Sequence, residues 1–133
     1  MLDLSPLTSA LQRLDEGLVR YLADTRDTQI RDGLIQRFEF TYELSHKMLK
    51  RYLESATATP GEFDGADFSY LIRSASEQGL LLGDWQKWKQ YRDMRAKTSH
   101  TYDEDVALAV VAGIAAFQQE AHHLHKQISA RLA

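Results

Sequence analysis

The chain has 133 residues, of which 44% are hydrophobic and 26% charged, with no cysteine and a net charge of −3. This composition fits a single folded domain, residues 1–133, able to bury a core without staples, and it excludes a disordered chain, a disulfide scaffold and a thiolate metal site. The overall acidity argues against a general nucleic-acid coat, the start Met1-Leu2-Asp3 lacks the basic lead of a signal peptide, and no stretch nears the roughly 20 apolar residues of a membrane span. A cytoplasmic protein with no membrane association is expected.

Ser5-Pro6 reads as an N-cap followed by proline at the first helical position. Leu7, Leu11, Leu14, Leu18 and Leu22 then recur every three or four residues and predict a helix with one apolar face. Thr25 to Thr28 reads as a connection. The period resumes from Ile30 to Leu53 through Ile30, Leu34, Phe38, Thr41, Leu44, Met48, Leu49 and Tyr52. Ser55 to Gly65, with Pro60 and two glycines, reads as a loop. A short helix is predicted over Phe68 to Glu77, with Gly79 as its stop.

Asp84 suits the cap of a further helix carrying Trp85, Trp88 and Tyr91 at intervals of three. Polar Thr98-Ser99 ends it. Asp103 or Asp105 starts a last helix with a stripe of Val106, Val110, Gly113, Ile114, Phe117, Leu124 and Ile128. No strand alternation and no repeat interrupts this pattern. An all-α protein follows: an antiparallel four-helix bundle with an additional short helix.

Between Trp85 and His100 five basic residues, Lys87, Lys89, Arg92, Arg95 and Lys97, face one acid, Asp93, a local charge of +4 in an acidic chain. A solvated helix face is the simpler explanation. The aromatic residues and the histidine in the same stretch suit phosphate and base contacts. Arg92 and Arg95 are three apart and share a face. His100 lies five residues beyond Arg95, so at about 100° per residue a continuous helix would point the two apart. They approach only if the helix breaks near Ser99, or if a two-fold axis brings a second copy alongside.

The run Arg95-x-x-x-x-His100-x-Tyr102 resembles the signature of HEPN-domain proteins, specifically the HepT-like toxins and the nucleotidyltransferase substrate-binding subunits. Ile35-Gln-Arg-Phe-Glu-Phe-Thr-Tyr-Glu-Leu44, with Lys47 and Leu49, resembles the second helix of that subfamily, and so do Asp84-Trp85 and Thr98-Ser-His-Thr-Tyr-Asp-Glu104 around the motif. The resemblance runs in order along nearly the whole chain. It implies a helical bundle that forms a homodimer with two motifs facing each other, and a nucleotidyltransferase partner protein. It further implies a metal-independent ribonuclease acting as the toxin of a toxin–antitoxin pair, silenced when the partner attaches adenylate to the motif tyrosine, Tyr102. Its alternative is a non-catalytic substrate-binding subunit of a two-component nucleotidyltransferase.

The residue types suit such chemistry. RNA carries its own nucleophile, the 2′-hydroxyl, so RNA cleavage needs a proton carrier and a cation but no cofactor. Histidine as a residue type can both take and give a proton near neutral pH, so His100 suits the proton work; Arg95 suits the phosphate, with Arg92 and Lys97 as further RNA or phosphate contacts. One position departs from the family pattern. Active members usually carry a polar residue directly after the motif arginine, and here it is Ala96.

Other candidates read more plainly. His122, His123 and His125 with Glu120 make a weak metal set, and no metal is expected. Glu39 and Glu43 lie one turn apart, and Glu43 is four residues before Lys47, the spacing of a surface ion pair. Trp85 and Trp88 read as core or dimer anchors.

Overall fold

A computed structural model describes residues 2–133. Among them there is no strand. Six α-helices run as α1 Ser5–Ala23, α2 Thr28–Ser55, α3 Phe68–Glu77, α4 Trp85–Lys97, α5 Glu104–Ala112 and α6 Ile114–Leu132. Two 3₁₀ turns, Pro60–Phe63 and Thr98–His100, lie before α3 and after α4. The all-helical bundle is as expected: α1, α2, α4 and the α5–α6 pair are its long members and α3 is the short addition. No helix among the described residues is long and apolar enough to cross a membrane.

The ends of the helices show why the chain folds in these pieces. The N-cap of α1 is Leu4, not Ser5 as expected, because the Asp3 carboxylate accepts the Ser5 N–H at 2.9 Å and draws Ser5 into the first turn beside Pro6. Asp27 caps α2 by accepting from Gln29 and Ile30 N–H, so Thr28 is helical and not part of the connection. Asp67, Asp84 and Asp103 cap α3, α4 and α5 in the same way. Gly79, at φ +73°, ends α3 in a Schellman turn, its N–H bonded to the Ser76 carbonyl and the Leu80 N–H to Ala75.

The single last helix expected from the stripe is two. At Gly113 the N–H turns to the Val110 carbonyl three residues back, and α6 starts afresh. Glycine holds a helix poorly, by about 1 kcal/mol relative to alanine. The apolar stripe of α1 also ends sooner than expected. Leu7, Leu11 and Leu14 are buried, but Leu22 is 65% exposed and Tyr21 takes the inward place.

Phe117 of α6 is the centre of the core. It stacks edge-on to Phe38 at 5.0 Å, to Tyr91 at 5.3 Å and to Trp88 at 6.2 Å, so α2, α4 and α6 meet at one ring. Trp88 is fully buried, as a core anchor should be.

Thr41 and Ser45 are buried in this core, and so is one acid. Glu120 of α6 is 1% exposed. Its Oε1 accepts from the Trp88 indole N–H and the Gly83 N–H, and its Oε2 from the Leu82 N–H, all at 2.7 Å. The packing around it is tight: a Cβ on Gly83 would fall 2.8 Å from the Lys87 Cβ and 3.1 Å from Glu120 Oε1.

Removing the Glu120 carboxylate strands three donors, and a buried donor without a partner costs about 1–3 kcal/mol. Glu120→Ala is expected to lower unfolding stability by about 3 kcal/mol or more in denaturant titrations. A change below about 0.5 kcal/mol, the level of an ordinary surface substitution, would contradict the assignment.

Candidate functional site

The motif is carried by the end of α4 and the turn that follows. The helix stops at Lys97 and tightens into the 3₁₀ turn Thr98–His100. The helix therefore breaks near Ser99, the first of the two arrangements that the spacing allowed. Asp103 then caps α5, accepting from Asp105 and Val106 N–H at 3.0 and 3.2 Å.

Below this turn Arg31 of α2, 6% exposed, reaches Glu104 with both ends of its guanidinium, Nη1 to Oε1 at 2.7 Å and Nη2 to Oε2 at 3.0 Å. A bidentate pair of this kind fixes geometry as well as charge. It ties the first turn of α5 to the start of α2, and so sets where the motif turn ends. The bond from Arg31 holds the Glu104 carboxyl below the usual carboxylate range.

Arg95 is not free in solvent. Its Nε donates to Glu43 Oε1 at 3.0 Å and its Nη2 bonds the same oxygen. Glu39 Oε1 lies 3.5 Å from Nη2, and Nη1 donates to Thr98 Oγ1 at 3.1 Å. The Thr98 hydroxyl in turn donates to the Arg95 carbonyl at 2.7 Å. Glu43 thus pairs across helices with Arg95, not along its own helix with Lys47 as the spacing suggested. An ion pair this exposed contributes about 1 kcal/mol or less to stability. Its effect is on the direction of the guanidinium.

His100 and Tyr102 stand on the open side of the turn. The Tyr102 hydroxyl lies 3.5 Å from His100 Nδ1, the outer limit of a hydrogen bond, with the two rings edge to face at 6.1 Å. Tyr102 is 87% exposed, more than any other large hydrophobic side chain among the described residues. No hydrogen bond joins Arg95 to His100 among the described residues.

The remaining site candidates separate. Arg92 shares the Arg95 face and sits over the Phe68 ring at 5.2 Å. Lys97 lies on another side of α4, in a groove lined by Lys87, Asp93, Met94 and Gly113. His122 and His125 are taken by α1: His122 Nε2 lies 2.8 Å from Asp15 Oδ1, and His125 Nε2 lies 2.7 Å from Thr8 Oγ1. Glu120, weighed as their companion, is the buried acceptor of the core.

Sequence reasoning missed Arg31 as a partner of the motif turn and placed Glu43 with the wrong cation. Both contacts join α2 to residues more than fifty positions away. No local spacing carries such a signal.

Residues 2–130 match the family described as nucleotidyltransferase substrate binding protein like. The chain is 39% identical over 138 aligned residues, covering 98% of its length and 94% of the relative, to a probable ribonuclease HepT of Haemophilus influenzae. It also superposes on a solved Haemophilus influenzae structure, described as the substrate-binding domain of a nucleotidyltransferase. The TM-score is 0.88 and the identity 37%, covering 96% of this chain and 99% of that one. The chain belongs to this HepT-like family of nucleotidyltransferase substrate-binding proteins.

The ion pair at Glu104 sets a pH dependence. A carboxyl lowered on folding contributes stability above its unfolded value, near 4.5, and loses it as pH falls through the lower folded value. The stability difference between the wild type and Glu104→Gln is therefore expected to be constant from about pH 7 to 5 and to shrink below about pH 4. Paired urea titrations across that range check it. A difference that grows as the pH falls would contradict the pairing.

Proposed function

We propose that the chain is a metal-independent ribonuclease, the toxin half of a pair with a nucleotidyltransferase antitoxin, and that its working unit is a homodimer. The observation that carries this reading is the exposed motif turn, which presents the His100 ring and the Tyr102 hydroxyl together beyond the helix that fixes Arg95. The names of the relatives support it from outside the geometry.

In this reading the RNA 2′-hydroxyl attacks the adjacent phosphorus. His100 takes its proton, and Arg95 steadies the negative charge that develops on the phosphorane oxygens. The 5′-oxygen leaves with a proton, and the product carries a 2′,3′-cyclic phosphate. One copy holds a single histidine in its motif, whereas cleavage needs both a base and an acid. A two-fold arrangement supplies a second His100 to the same cleft. Adenylate on Tyr102 would set a phosphate beside His100, where it competes for Arg95 and repels RNA.

A second reading, the non-catalytic binding subunit, is favoured by a specific observation. Glu43 and Glu39 already occupy Arg95, and Ala96 offers no side chain to redirect it. Expression alone separates the two. On the ribonuclease reading the wild-type chain arrests growth and degrades RNA, and His100→Ala is harmless. Harmless wild type with intact RNA points to the binding subunit.

Cleavage is expected to persist in EDTA and to leave cyclic or 3′-phosphate ends, which end-labelling of the fragments reads. Activity lost in EDTA and restored by a divalent ion counts against this mechanism. Co-expression with the nucleotidyltransferase is expected to add adenylate mass to the Tyr102 peptide, and Tyr102→Phe to escape silencing while keeping its activity. Sedimentation at micromolar concentration is expected to give a dimer; a clean monomer removes the shared cleft.

A further inference from the structure

Beside the motif lies a second group of cations that the reaction above does not use. His46, on α2, packs edge-on to Phe68 at 5.4 Å. Arg92 covers the same ring at 5.2 Å, and Trp85 closes it at 5.6 Å. Lys50 stands four residues after His46 and lines with it a cleft of about 130 Å³ beside Phe63, Phe68 and Leu71. That is about four times the volume a water occupies in the liquid, roughly 30 Å³, which is room for a phosphate group.

The two arginines of the α4 face differ in one respect. Arg95 is held by carboxylates, whereas Arg92 and Lys50 have no carboxylate within salt-bridge distance among the described residues. The one acid on the cleft, Asp67, is committed to the cap of α3, accepting the Tyr70 N–H at 2.8 Å and the Ser69 hydroxyl at 2.9 Å. Asp93, next to Arg92 in sequence, lines the groove on another side of α4. The groups facing His46 are therefore Tyr42 and Lys50 on its own helix, Arg92 on α4 and Asp67 at the start of α3.

We infer that His46, Lys50 and Arg92 form an anion subsite that holds the RNA phosphate next to the one being cleaved. The inference rests on the ribonuclease reading and adds to it a track for the RNA backbone. Arg92 and Arg95 lie one helical turn apart, about 5 Å, on one face, so a strand whose scissile phosphate meets Arg95 runs on toward Arg92 and the cleft. Phe68 keeps the Arg92 guanidinium spread over its ring and exposed at its edge, ready to donate two hydrogen bonds. Burial, together with Lys50 and Arg92, holds the His46 imidazole below its usual value. An anion in the cleft opposes that effect, so anion binding and His46 protonation strengthen each other.

The test reads the subsite without requiring cleavage. The His46 imidazole is titrated by NMR in the full-length chain, in sodium sulfate and in sodium chloride of equal ionic strength. Sulfate is a tetrahedral anion that does not itself titrate in this range. The expected result is a higher His46 titration midpoint in sulfate, with the shift lost in Arg92→Gln and in Lys50→Gln and kept in Lys126→Gln on α6. In parallel, a single-stranded 2′-deoxy oligonucleotide, which lacks the nucleophile, is bound by the same proteins over a salt series. Arg92→Gln and Lys50→Gln are each expected to flatten the log–log salt slope by about 0.7, one lost contact on a single strand. Equal midpoints in sulfate and chloride, with salt slopes unchanged in both variants, overturn the subsite; if the wild type still cleaves RNA, the ribonuclease reading stands without it. A sulfate shift in a chain that cleaves no RNA overturns the ribonuclease reading and the RNA assignment.

Discussion

The carboxylate of Glu120 is 1% exposed at the floor of a groove on the helical bundle, and the surrounding chain is arranged to satisfy it. Three N–H groups converge on it from the Trp88 indole and from Leu82 and Gly83. A buried charge is tolerated only when it is fully hydrogen-bonded. That requirement fixes the connection before α4 and the rotation of α4 about its axis. With Trp88 turned inward, Arg92 and Arg95 necessarily come out on the side facing α2 and α3. The placement of the motif thus begins two turns upstream of it, at a residue that touches none of its members.

Electrostatics then sort the cations that the sequence crowds into one stretch. Along α4 they look alike, and in space they have three different surroundings. Arg95 meets Glu39 and Glu43, Arg92 meets the face of Phe68, and Lys97 looks into a groove on another side of the helix. A helix 13 residues long shows several faces, so a charge of +4 over it is not one patch. What it offers an anion depends on which neighbours α2 and α3 supply.

The helices were legible because their signals are local. Apolar periods marked α1 and α2, and Asp84, Asp103 and Gly79 marked ends within a residue or two. Errors arose where a residue outside the expected pattern competed for the same backbone groups: Asp3 displaced the cap of α1, and Gly113 divided a continuous stripe into α5 and α6. The break after α4 was legible as one of the two arrangements that the Arg95–His100 spacing allowed. Its supports were not. Glu39, Glu43 and Arg31 all come from α2, and nothing in an i, i+4 pattern tells a glutamate whether its lysine neighbour or an arginine 52 positions away will hold it. The core role of Glu120 was hidden for the same reason: beside three histidines it offered only a weak metal set, and the indole that it accepts from lies 32 positions away.

Gly83 carries a consequence for how such chains diverge. Its hydrogen-only side lies against the Lys87 side-chain stem and the Glu120 carboxylate, with no space for a methyl group. A larger residue there pushes on Glu120 Oε1, which the Trp88 indole and the Gly83 N–H hold in place, so it cannot be absorbed by a side-chain rotation at one position. Positions 83, 88 and 120 are therefore expected to change together. A relative that replaces the glycine should also have given up the buried acid or the tryptophan, and one that keeps all three should keep the short approach into α4 unchanged in length. The joint presence of these three residues in an aligned sequence is a marker of motif geometry that the motif's own letters do not carry.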